Sequence, residues 1–286
     1  MIKRELYMNR IRPFIGGELI KVMTGIRRSG KSVMLELIKE ELAEAGVAPS
    51  QMISINFEDM RYSHLQTATA LHDEIIKRAE GIEGKAYLFF DEIQEVEGWE
   101  KCVNSLRVAL DCDIYITGSN AKLLSGELAT YIGGRYVEFV IYPFSFAEFL
   151  ELYHTIAPSD SIQQCFQKYL LAGGMPYLAN LRYEEEPSRQ YLTDLFNSVQ
   201  LKDIVKRNKI RDIDLLERII AYMTANVGTV FSASSLAKFF KNEQRTVAAE
   251  TILNYVRYCC DAYLFYQVKR CLLYTSDAAD EGLGVD

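Results

Sequence analysis

The hydrophobic pattern of the chain alternates between two periods along its first half. Leu19-Ile20-Lys21-Val22-Met23-Thr24 is a short β-rich run that stops at a glycine, and Lys31 to Ala45 then sets Met34, Leu35, Leu37, Ile38 and Leu42 at helical spacing. Met52 to Phe57 predicts a second strand, and Leu65 to about Arg78 a helix. Ala86-Tyr87-Leu88-Phe89-Phe90 is an uninterrupted apolar run, the signature of a strand buried on both faces of a parallel sheet. Trp99 to Leu110 predicts a helix, Ile114 to Thr117 a fourth strand and Tyr136 to Ile141 a fifth. Strands alternating with helices predict an α/β fold, a doubly wound parallel sheet.

Beyond Pro143 the strand signal fades. Phe146 to Tyr153, Ile162 to Leu171, Ser188 to Arg207 and Ile213 to Asn226 read as consecutive helices, with Gly173-Gly174-Met175-Pro176 breaking the second from the third. Ser235 to Phe240, a polar turn at Lys241 to Gln244, a helix from Thr246 to about Cys259 and a β-rich run at Leu264 to Val268 follow the order of a winged helix-turn-helix. In that reading Leu236, Phe239 and Phe240 face one way, and Val247, Ile252, Leu253 and Val256 line the longer helix. The expected organisation is a P-loop domain over 1–155, a helical lid or linker over 156–210, a winged helix over 211–270 and a tail over 271–286.

The turn after the first strand carries the chemistry. Gly25-Ile26-Arg27-Arg28-Ser29-Gly30-Lys31-Ser32 matches G-x-x-x-x-G-K-[ST] in full. Gly25 and Gly30 let the backbone turn its N–H groups toward phosphates, and the helix N-terminus that follows adds its positive end. Arg28 and Ser29 fall in the same cradle. Lys31 is expected on the β- and γ-phosphates and the Ser32 hydroxyl on Mg²⁺. Asp91-Glu92 ends the apolar third strand; Asp91 is expected to hold the metal and Glu92 to activate water, the alternative being a polar cap on a strand. Thr117-Gly118-Ser119-Asn120 places Ser119 and Asn120 either at the γ-phosphate or in an ordinary turn. Arg135, before the fifth strand, reads as an arginine finger or as a surface arginine. A GTPase is disfavoured: Asp91-Glu92-Ile93-Gln94 lacks the glycine of D-x-x-G, and Asn208-Lys209-Ile210-Arg211 ends in arginine where N-K-x-D needs a carboxylate.

Composition narrows the picture without redirecting it. The 286 residues, 49% hydrophobic and 25% charged, suit an α/β domain plus a smaller one. No run is long and apolar enough to span a bilayer, and Met1-Ile2-Lys3-Arg4-Glu5 leads into polar residues, so a cytoplasmic protein without membrane contact is expected. Six cysteines without C-x-x-C spacing read as reduced thiols, and His64, His72 and His154 are too scattered for a metal. Net charge is −7, of which Asp277, Asp280, Glu281 and Asp286 account for four charges. Eight Lys/Arg against six Asp/Glu over 211–270 is too slight a bias to declare nucleic-acid binding. Double-stranded DNA held through residues 232–270, with Lys241, Arg245, Lys269 and Arg270 at phosphates or bases, stays open beside a protein partner.

Taken in order, Gly25 to Ser32, Phe57-Glu58-Asp59, Phe90-Asp91-Glu92-Ile93-Gln94, Thr117-Gly118-Ser119, Gly134-Arg135, Tyr142-Pro143-Phe144-Ser145-Phe146 and Gly173-Gly174-Met175-Pro176 resemble one family. It is that of the prokaryotic AAA-type ATPases with a C-terminal domain of unknown function, related to the archaeal ATPase branch of the STAND-like NTPases. The resemblance covers about residues 5–270. With the P-loop and Asp91-Glu92, the expected activity is Mg²⁺-dependent binding and hydrolysis of ATP coupled to the winged helix; a homo-oligomer is left open, and in one Arg135 is hypothesised to act on a neighbour's γ-phosphate. Rival readings are a nucleotide-gated DNA-binding module and a protein-interaction scaffold with little turnover. Cys271 to Asp286 instead resembles a translated sequencing-library adaptor, is expected to be non-native, and implies that the natural sequence is interrupted at about Arg270.

Overall fold

The computed structural model describes residues 2–121, 132–242 and 244–268. Five strands, β1 (Ile20–Thr24), β2 (Met52–Asn56), β3 (Ala86–Asp91), β4 (Cys112–Gly118) and β5 (Tyr136–Val140), form one parallel sheet in the order β2-β3-β4-β1-β5. Every residue of β1 and β4 is buried, whereas the edge strand β2 alternates. That difference is what the apolar runs and the polar interruptions at Ser54 and Asn56 dictate.

Helices cover both faces. On one side α1 (Glu5–Ile11) and α2 (Lys31–Glu44) bury Tyr7, Met8, Ile11, Met34, Leu35 and Ile38 against Phe89, Tyr115 and Phe139. On the other, α3 (Ala68–Ala79) and α4 (Trp99–Ala109) bury Leu71, Ile75, Trp99, Val103 and Leu106 against Leu88, Phe90, Ile114 and Ile116. The doubly wound sheet is therefore as expected. The helix α1 is an addition, since seven residues with Tyr7, Met8 and Ile11 inward give too short a period to read.

At the N-terminal end of the strands lies a dry ion pair. The Lys21 ammonium donates to Asp113, to which Gly16 N–H and Tyr115 O–H also donate, each at 2.7 Å, and both charged side chains are fully buried. Burial pulls the Lys21 amine below the usual lysine range, with Asp113 opposing.

The C-terminal part is helical: α5 (Phe146–Tyr153), α6 (Ile162–Ala172), α7 (Glu185–Ser198), α8 (Ile213–Ala225), α9 (Ala233–Asn242) and α10 (Ala249–Asp261). Ser145 with Glu148 and Ser161 with Gln164 make capping boxes that fix the starts of α5 and α6. The chain leaves α7 through a π-helical run, Val199–Lys206. Phe149, Leu178, Leu195, Ile204, Leu216, Ile220 and Cys259 share one core. Gly174 is where Gly173-Gly174-Met175-Pro176 meets Tyr142-Pro143-Phe144: its carbonyl accepts from Phe144 N–H at 2.6 Å, and a Cβ there would lie 2.1 Å from the Phe144 oxygen.

Three expectations for the winged helix need correction. The helix-turn-helix order holds, but Leu264 to Val268 forms no strand: Tyr263 turns with φ 58°, Leu264 N–H caps α10 on the Cys259 carbonyl, and Leu264 and Phe265 pack into the helical core. Phe239 and Leu253 are 48% and 54% exposed, while Leu236, Phe240 and Ile252 form the small core with Leu215 and Ile219. Arg245 is not free to meet bases, because its guanidinium is committed to Asp212 and Asp214 at the start of α8. Glu243, Lys269, Arg270 and the tail lie outside the described residues.

Candidate functional site

The register of the sheet brings the polar ends of the strands to one level, with Asn56 opposite Asp91 and Thr24 opposite Gly118. The phosphate-loop sequence leaves β1 at that level and enters α2 at Lys31. Gly25 adopts φ 141° and lies against the exit of β5, where a Cβ would stand 2.2 Å from the Ile141 oxygen. Only glycine fits both the conformation and the approach. Gly30, at φ 100°, turns the loop into the helix.

Lys31 is buried and donates to the carbonyls of Gly25 and Ile26, each at 3.1 Å, with the Glu92 carboxylate 4.0 Å away. Burial lowers its amine from the ordinary range, against the pull of Glu92 and Asp91. A cation that has lost its water and is held by backbone carbonyls is poised to take anionic oxygens instead. Ser29 is buried with its hydroxyl unpaired among the described residues, in the same loop. Arg28 is exposed at the mouth of the cavity.

Asp91 receives the Thr117 hydroxyl on one oxygen and the Asn56 amide on the other at 3.2 Å, and Ser32 also bonds it. Burial raises its carboxyl from the usual range, opposed by Thr117 and Ser32. Thr117 Oγ1 in turn accepts the Glu92 N–H at 3.0 Å, which helps hold Glu92 at φ 55°. The Glu92 carboxylate accepts from Ser119 Oγ at 2.7 Å and from the Gln94 amide, and Asn120 is buried next along the chain. Above these groups opens a cavity of about 640 Å³, walled on the far side by Ile2, Phe144, Leu152, Pro176 and Tyr177.

Gly25, Ser29, Gly30, Lys31, Ser32, Asp91, Glu92, Ser119 and Asn120 thus gather at one end of the sheet. Arg135 does not join them. Its carbonyl accepts from Ile20 N–H at the opposite end of β1, and its guanidinium meets Asn104 at 3.2 Å. At about 3.3 Å per strand residue the separation is roughly 15 Å, which excludes a role in its own subunit's cavity.

Sequence reading missed four contributors. Asn56 and Thr117 sit at strand ends as the motif residues do, and position alone could have singled them out. Gln94 follows Glu92 by two. Arg4, at φ 47°, gave no signal: it donates to Ser29 O at 2.9 Å, Tyr142 O at 2.8 Å and Glu148 at 2.8 Å, tying the N-terminus to the loop and to α5.

Two family models match the chain, one for an AAA domain over residues 18–150 and one for a domain of unknown function over residues 163–273. An uncharacterized protein of Haemophilus influenzae is 38% identical over 271 residues, covering 94% of this chain and 67% of its own length. The chain belongs to the prokaryotic AAA-type P-loop ATPases with a C-terminal domain of unknown function. A second member of this kind, an uncharacterized protein of Methanocaldococcus jannaschii, is 33% identical over 259 residues, covering 86% of this chain and 56% of its own length. The chain therefore spans a little over half to two thirds of these relatives. Among solved structures it is similar to ORC1 of Aeropyrum pernix in complex with DNA (TM-score 0.42, 14% identity, 91% and 83% of the two chains). It is also similar to AMPPCP-bound DnaA of Aquifex aeolicus (0.40, 14%, 99% and 94%). Likenesses this loose carry no weight on function. No helix among the described residues is long and apolar enough to cross a membrane.

Proposed function

We propose that the chain binds ATP with Mg²⁺ and hydrolyses it, and that the nucleotide state acts on the C-terminal helices. One observation carries the reading: Lys31, Ser32 and Glu92 converge from two elements on a single cavity, with Asp91 buried just beneath and bonded to Ser32. The P-loop N–H groups and Lys31 hold the phosphates. Ser32 and Asp91 offer an alcohol and a carboxylate side by side, the hard oxygen donors Mg²⁺ takes when phosphates supply further ligands. Mg²⁺ bound there would neutralise phosphate charge. Glu92, oriented by Ser119 and Gln94, is the base that draws a proton from water. Arg135 points away from its own cavity and is proposed to serve a neighbouring subunit in a homo-oligomer. With Arg245 already paired, duplex DNA is a weaker partner for residues 232–270 than the nucleotide is for the P-loop.

The test is turnover against binding in Glu92→Gln. The amide keeps the shape and cannot accept the proton, so ATP affinity should hold while kcat falls about 10²–10⁴-fold. A variant that hydrolyses ATP at the wild-type rate removes Glu92 from this role.

A further inference from the structure

The P-loop touches the C-terminal domain through two consecutive side chains. Ile26 packs on the core that holds Leu178, Val199 and Ile204. Arg27 grips Asp203 with two bonds, Nε to Oδ2 at 3.1 Å and Nη2 to Oδ1 at 3.2 Å. Asp203 belongs to the π-helical run Val199–Lys206 and is 2% exposed. The remaining partner of Arg27 is Glu58, just beyond β2, at 3.2 Å and largely exposed.

These contacts join residues 176 positions apart, one in the AAA match and one in the domain of unknown function. A guanidinium has five N–H groups. Three are used here, leaving two without a protein partner among the described residues, and the side chain lines the phosphate cavity. Asp203 is the awkward member. It is a buried carboxylate within electrostatic reach of Lys31, and it stands behind Arg27, which lines the cavity where Asp203 does not. Without Arg27 between them, phosphate and Asp203 would repel each other in a poorly solvated space. The π-helical form of its segment fits a responsive element, since such turns are rare and recur at functional sites.

We propose that the Arg27–Asp203 pair reports the γ-phosphate to the C-terminal domain. With a triphosphate bound, the guanidinium is shared between the γ-phosphate and Asp203; with a diphosphate, it belongs to Asp203 and Glu58 alone. The inference rests on the nucleotide reading above and assigns the domain of unknown function a sensing residue. Because coupling is reciprocal, whatever the γ-phosphate takes from Asp203 loosens the Val199–Lys206 segment, and whatever holds Asp203 resists the triphosphate.

Two measurements on the full chain test it. Calorimetry compares ADP with a non-hydrolysable ATP analogue, and hydrogen exchange follows the amides of Val199–Lys206 with each. In the wild type these amides should exchange several-fold faster with the analogue than with ADP. Asp203→Asn removes the competitor for Arg27, so preference for the analogue over ADP should rise about tenfold and the difference in exchange should vanish. Arg27→Gln should lower that preference about tenfold, within the usual range of allosteric coupling. A clasp that only holds two domains together would instead weaken both nucleotides equally in both variants, and that result overturns the proposal. Should Asp203→Asn fail to fold, the wild-type exchange and Arg27→Gln still decide. A wild type that binds both nucleotides with identical exchange in Val199–Lys206 sinks this inference alone. A wild type that binds neither sinks the nucleotide reading with it.

Discussion

Gly25→Ala probes the close approach on which the phosphate loop depends. The added Cβ would stand 2.2 Å from the Ile141 oxygen and 3.1 Å from its carbon. An unstrained C···O contact is about 3.3–3.6 Å, so one side must move by roughly 1 Å. Neither side is a flexible side chain: Ile141 N–H donates to Thr24 O at 2.7 Å, locking β5 to β1 at that point. The backbone φ of 141° adds about 1–3 kcal/mol for any residue with a Cβ. Overpacking adds about 1–3 kcal/mol more. The loop should therefore shift, and a misplacement of about 1 Å at a catalytic site costs on the order of 10²-fold in rate. Gly46→Ala is the control, since Gly46 shares a positive φ of 92° but has open space where the Cβ would go. Urea unfolding and steady-state ATPase kinetics would be measured on both variants. Gly25→Ala should lose on the order of 2–6 kcal/mol and about 10²-fold in kcat/KM, with Gly46→Ala near wild type in kinetics. Equal behaviour of the two variants would refute the steric argument.

Lys21→Met leaves Asp113 buried without its cation and should cost about 3–5 kcal/mol. Adding Asp113→Asn, whose carbonyl can still accept from Gly16 and Tyr115, should recover at least half in chemical denaturation; a loss under about 1 kcal/mol for the single variant would contradict the buried pairing. For Arg135, mixing Arg135→Ala with Lys31→Ala protein should restore part of the activity that each lacks alone, because an arginine finger is worth about 10³–10⁵ in rate. Mixtures as inactive as their components would end its role between subunits.

The parts of this fold that were legible share a physical cause. β1, β3 and β4 are covered on both faces, so β3 is written as a continuous apolar run and β1 and β4 as apolar runs broken mainly by Lys21 and Asp113, which pair with each other. The P-loop is legible because glycines, lysine and serine must follow one another along the backbone to surround one phosphate group. What stayed hidden depends on distant partners. Arg4 reaches Glu148 across 144 positions and Arg27 reaches Asp203 across 176, and neither contact leaves a local pattern. Leu264 to Val268 has strand-forming residues, but a strand needs an edge to pair with; here Leu264 and Phe265 turn into the helical core, and the exposed Tyr266 lies at a tilt beside Tyr142, ring centroids 5.2 Å apart. Arg245 looked like a base-reading residue because its two aspartates lie 31 and 33 positions earlier.

The central claim is that Gly25 to Ser32 form a working ATP site, and Lys31 tests it most directly. Equilibrium binding of labelled ATP in the presence of Mg²⁺ would be compared between the wild type and Lys31→Ala, with circular dichroism confirming that both are folded. The account predicts saturable binding by the wild type and loss of that binding in the variant, whose loop keeps its backbone but not its cation. Undiminished ATP affinity in folded Lys31→Ala would contradict it.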